Sequence, residues 1–150
     1  MSQLLSLAHL LFAAFVLACP VLGLALLGQP FNRLTATLLR RVEWVNGMAA
    51  VLVLVIGLVR LFHFGKGVDH YLHNLPFLGK LVLYGLASGL SLVSTLEIRR
   101  WGAPLKAGRL PEVAQHRLSA MRSALAWQLA CGVGMAVLAV LAANGVGSMV

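Results

Sequence analysis

Four stretches of this chain are long, apolar and nearly free of charge: Leu4 to Gly28, about Trp44 to Phe64, about Phe77 to Leu96 and about Ala124 to Ala143. A hydrocarbon core of roughly 30 Å takes about 20 apolar residues at helical rise. In lipid only a helix satisfies its own backbone within one segment, and the period-2 alternation of a membrane strand is missing. The pattern predicts an all-α membrane protein, a four-helix transmembrane bundle made by residues 1–150 as a single domain. Composition agrees, because 60% of the 150 residues are hydrophobic, only 11% are charged and the mean hydropathy is +0.90. A soluble domain is about 45–50% apolar and about 25% charged. A globule of this size has too little interior to hide so much apolar surface from water.

The basic residues fix an orientation. No Lys or Arg precedes Arg33 and none follows Arg122. The first connection holds Arg33, Arg40 and Arg41, and the third holds Arg99, Arg100, Lys106, Arg109, Arg117 and Arg122. The middle connection adds only Lys66. The positive-inside bias puts the first and third connections in the cytoplasm and both termini outside, an N-out/C-out bundle. The net charge of +8 is thereby used up on orientation and on anionic headgroups, which argues against a nucleic-acid partner. Cys19 and Cys131 fall inside apolar runs and read as small hydrophobes rather than as a disulfide or metal pair. The first connection, Gln29 to Val42, mixes Leu with Arg and reads as a short helix on the inner interface. The third carries Pro104, Gly108 and Pro111 and reads as a solvated connector.

Ionisable side chains inside a span are costly and therefore mark candidate sites. His9 lies about 8 Å inside the outer end of the first span, Arg60 roughly 6 Å from the outer end of the second and Lys80 roughly 5 Å into the third, at helical rise. Three groups on three helices thus share one layer. Lys80, Tyr84, Ser88, Ser91 and Thr95 recur at helical spacing and make one polar stripe. Glu43, Asn46, Ala50, Gly57 and Arg60 share a face of the second span. Gly85 with Gly89, and Ala126, Ala130 and Gly134, are small residues that let helices approach, so the stripes are expected to face inward. Glu43 could pair with Arg99 or Arg100 at the cytoplasmic end.

Each of these residues also has a plainer role. Arg60 and Lys80 are shallow enough to snorkel to phosphates, and His9 could serve as an interior hydrogen-bonding group. Tyr84 and the serines suit packing and hydrogen bonding. In the middle connection His70 and His73 stand three apart beside Asp69, a weak copper or zinc pattern. His63 reads as interfacial.

Glu43, Gly47, Gly57 to Arg60, Lys66-Gly67, Tyr71-Leu72, Asn74, Pro76-Phe77, Lys80, Ser91 through Thr95 and Arg99-Arg100-Trp101 together resemble a family of small bacterial membrane proteins of unknown function. His9 joins the pattern. The chain departs from it with Glu43 where Asp is usual and Leu75-Pro76 where the order is reversed. More distantly, the pattern is similar to the haem-binding four-helix protoporphyrinogen oxidase of bacteria and to a copper-resistance membrane protein group. The resemblance implies a multi-pass protein of the bacterial inner membrane that binds haem b and acts in redox chemistry as an oxidoreductase. A porphyrin or a quinone would be its partner. His9 would be the axial ligand, with Arg60, Lys80 and Tyr84 completing the cofactor site. Haem chemistry suits that assignment, since the iron takes an imidazole and the propionates take cations. Met135, His63 and His73 are the candidates for a second ligand. The rival readings are an accessory or scaffold subunit, working as a homo-oligomer or with a partner membrane subunit, and a copper-handling protein using His70 and His73.

Overall fold

The computed structural model describes residues 2–63 and 74–144. His70 and His73 lie outside them. Helices α1 (Ser2–Leu27), α2 (Arg33–His63), α3 (Leu75–Arg100) and α5 (Gln115–Ala143) are each long and apolar enough to cross a membrane. A single short helix, α4 (Gly102–Lys106), follows α3. Large apolar side chains such as Leu10, Val51, Leu58, Val82 and Val140 point outward, as lipid-facing residues should.

The helices outrun the apolar runs that announce them. The segment expected to lie separately on the inner interface is instead the start of α2, which begins at Arg33 and runs unbroken to His63. Its start is fixed by Asn32, whose Oδ1 accepts from the Thr35 backbone N–H at 2.9 Å. No proline follows to stop it. Helix α3 starts on Asn74, whose side chain accepts from the Phe77 N–H at 3.0 Å, with Pro76 in the first turn where a missing N–H costs nothing. The third connection is not wholly solvated, since Trp101 is 1% exposed and meets Phe31 edge to face at 5.4 Å. Around it Leu27, Ala36, Leu39, Ile98 and Met121 form a buried apolar collar at the basic end of the bundle. Glu97 tightens this collar by binding Arg117 at 2.7 Å and Arg100 at 3.6 Å. Arg122 donates to the Leu27 carbonyl at the end of α1.

Packing is closest between α3 and α5 and between α1 and α2, with α1 also lying along α5. Helices α2 and α3 meet only lightly. The order around the bundle is therefore α2, α1, α5, α3, with a loose seam where α3 returns to α2. Glycines set the tight contacts. A methyl group on Gly132 would come within 2.6 Å of Leu17, on Gly23 within 2.9 Å of Leu125, on Gly79 within 2.9 Å of Leu138 and on Gly134 within 2.9 Å of Leu83. Such positions let neighbouring side chains lie against bare backbone. Two expected contacts are corrected: Gly85 and Gly89 have nothing within 4 Å, and Ala126 and Ala130 are exposed. Leucines of neighbouring helices fill the close approaches, which include Gly134 of the expected set and otherwise fall on Gly23, Gly79 and Gly132.

Candidate functional site

The register of the helices follows from individual contacts. His9 of α1 lies against Gly57 of α2, and a methyl group at Gly57 would come within 3.4 Å of the imidazole Cε1. Tyr84 of α3 donates its hydroxyl to the Ala50 carbonyl of α2 at 2.9 Å. Ser91 and Thr95 of α3 donate to Oε1 of Glu43 at 3.1 and 2.8 Å. Gln128 of α5 donates to the Ala87 carbonyl of α3 at 3.3 Å. The polar faces of α2 and α3 therefore do turn toward each other, and they line the seam where these two helices pack least.

Two polar layers result. The outer one contains His9, Arg60 and Lys80, all partly buried. Arg60 and Lys80 both act electrostatically on His9 and Arg60 acts on Lys80, so the three lie within charge–charge reach. The Val53 carbonyl faces the imidazole. Nδ1 of His9 is nevertheless buried without a hydrogen-bond partner. The Lys80 ammonium sits 5.6 Å from the centroid of the Phe77 ring, one turn before it. Tyr84 lies one turn deeper than Lys80, and its hydroxyl is spent on the α2 backbone and on Ser88. Its visible work is to hold the seam together. His63 is exposed at the end of α2, and Met135 is partly buried on α5.

The inner layer was only partly legible. Glu43 pairs with neither Arg99 nor Arg100, and among the described residues it has no ion pair; the basic side chain of Arg100 goes to Glu97 instead. The reason is geometric, because Glu43 points into the bundle toward Ser91 and Thr95 while Arg99 and Arg100 are exposed at the helix end. Asn46, one turn further along α2, is buried with Oδ1 unpartnered, and buried Gln128 leaves Oε1 unpartnered. Gln128 stands out in sequence as the one obviously polar residue of its span, but its level relative to Glu43 required the register. Two surface pockets open at the basic end of the bundle, one beside Trp101 and Arg117 and the other beside Phe31 and Arg122. Among the described residues, no three His, Cys, Asp or Glu side chains gather as a metal group.

A family model described as a predicted membrane protein (DUF2214) matches residues 1–147. No curated protein and no solved structure matches the chain.

Proposed function

The chain belongs to the predicted membrane protein family DUF2214, and from that premise we propose that it is a haem b-associated redox protein of the bacterial inner membrane, with its site near the outer face. The observation that carries this reading is the buried, unpartnered Nδ1 of His9, with two cations from other helices within charge–charge reach of the imidazole. Buried polar atoms are almost always hydrogen-bonded, so an orphaned imidazole nitrogen marks a group waiting for a ligand. The donors fit haem. His9 would hold the iron, Arg60 and Lys80 would hold the propionates at the membrane edge, and Gly57 lets the imidazole lie against the α2 backbone. Bound there, haem would supply one-electron chemistry. Tyr84 would keep α3 against α2 beneath the site through the Ala50 carbonyl. Met135, His63 and His73 remain the candidates for the opposite axial position. A group at this depth meets molecules dissolved in the membrane, so a porphyrin or a quinone is the substrate class, and a protoporphyrinogen oxidase-like activity is the corresponding reaction.

Titration of the detergent-solubilised protein with haemin tests the site. A saturating Soret band at one haem per chain is expected, lost in His9→Ala. Removing one charge-assisted contact is worth about 1.5–3 kcal/mol, so Arg60→Gln or Lys80→Gln should weaken binding roughly tenfold or more. Equal binding by the parent and His9→Ala would overturn the assignment.

A second reading, an accessory membrane subunit or homo-oligomer, is favoured by one observation. The His9 ring packs directly on Gly57, so α1 and α2 would have to part to admit a macrocycle. That reading predicts no saturable haem binding and a partner that co-purifies in fixed ratio. Copper handling through His70 and His73 would instead show as bound copper that disappears when both are replaced by Ala.

A further inference from the structure

Glu43 presents a charge problem of its own. It is 8% exposed, it lies at the edge of the second apolar run with its carboxylate turned into the bundle, and among the described residues no cation pairs with it. A bare carboxylate in such a place is strongly disfavoured, so something must neutralise it. Two neighbours already donate to Oε1, the hydroxyls of Ser91 and Thr95. Each hydroxyl keeps lone pairs after donating.

Further buried oxygens without a partner belong to Gln128, Asn46 and Ser94, the last on α3 between Ser91 and Thr95. Gln128 is tied to α3 at Ala87, one turn before Ser91, and its Oε1 is buried without a partner. Asn46 follows Glu43 by one turn on the same face, and its Oδ1 is likewise buried and unpartnered. Both residues are 6% exposed. From α1 the Cys19 thiol lies within electrostatic reach of Glu43. One carboxylate and two hydroxyls are thus joined by hydrogen bonds, with unpartnered amide oxygens one turn along, on Asn46 and on Gln128 where it meets α3.

We propose that Glu43, Asn46, Ser91, Thr95 and Gln128 form a binding site for one small alkali cation, Na⁺. The donor set is all oxygen, which selects a hard cation over a transition metal. One carboxylate balances a single charge, whereas a divalent ion would leave an excess positive charge in a low-dielectric interior. A proton on Glu43 would also neutralise it, but one O–H satisfies only one acceptor and leaves the other amide oxygen orphaned. A metal ion takes them together. The site is independent of the haem reading and stands or falls without it.

Thermal unfolding of the full chain in detergent, in NaCl against choline chloride at equal ionic strength, tests this. A ligand bound only by the folded state raises the melting temperature, here by about 3 °C or more in NaCl. Glu43→Gln keeps the shape and removes the charge, and should abolish the Na⁺ dependence. Gln128→Leu keeps the carboxylate and should reduce it. Broadening of the ²³Na resonance by the parent, lost in Gln128→Leu, gives a reading that does not depend on the Glu43 variant folding. Equal melting in both salts, or a Na⁺ shift retained in Glu43→Gln, overturns the proposal. So does an infrared carboxylic-acid band that persists in Na⁺ and disappears in Glu43→Gln, which would place a proton where the metal is assigned.

Discussion

Single side chains in this protein divide by what surrounds them. Trp101 is in the apolar collar at the basic end of the bundle. It is 1% exposed, packs on Phe31, and its Nε1 lies 3.4 Å from Glu97. Replacing a fully buried Trp by Ala typically costs about 3–5 kcal/mol. Trp101→Ala should therefore lower the melting temperature in detergent substantially, and Trp101→Phe should lower it much less. An unchanged melting temperature in Trp101→Ala would show that the collar is not what clamps the helix ends. Nothing in the sequence marks Trp101 as a core residue. It sits between two arginines and a glycine, and only the folding of α1, α2, α5 and Phe31 around the end of α3 buries it. Glu43 teaches the complementary lesson. Its nearness in sequence to a basic end suggests an ion pair, whereas its position on the α2 face decides that hydroxyls receive it.

At the scale of the elements, the four spans were legible because hydropathy reports the lipid that each helix must face. The helix ends were not, because they extend into water, where hydropathy falls silent and capping takes over. The segment from Arg33 to Val42 shows this. Thr35, Ala36 and Leu39 recur at helical spacing and are buried, with Glu43 the next member of the same stripe. Asn32 starts that stripe as a cap. Cap replacements of Asn by Ala cost about 1 kcal/mol. Asn32→Ala should speed amide hydrogen exchange at Thr35 and Ala36 while leaving the middle of α2 protected. Equal exchange in both proteins would mean that the Pro30 and Arg33 contacts alone hold the start. The polar stripes of α2 and α3 were legible from their period, since both must turn away from lipid. Of the true close approaches Gly134 was legible, but those at Gly23, Gly79 and Gly132 were not, because a small residue reports room for a neighbour without saying which neighbour comes.

For the molecule as a whole, the arrangement is a ring of four helices with one weak joint. Two contacts, α1–α5 and α3–α5, are sealed by leucines lying on glycine, the α1–α2 contact sets His9 on Gly57, and the fourth, between α2 and α3, is bridged by hydrogen bonds from Tyr84, Ser91 and Thr95. Polar groups collect at that joint in two layers, one toward the outer face and one toward the basic end. By the positive-inside bias the second end is expected to face the cytoplasm. The outer layer carries the proposed redox role, which rests on the buried, unpartnered Nδ1 of His9 within charge–charge reach of Arg60 and Lys80. The most direct test is the absorption spectrum of the protein purified from haem-replete membranes. The account predicts a Soret band in the parent that is missing from a folded His9→Ala variant, whereas a colourless parent would contradict it.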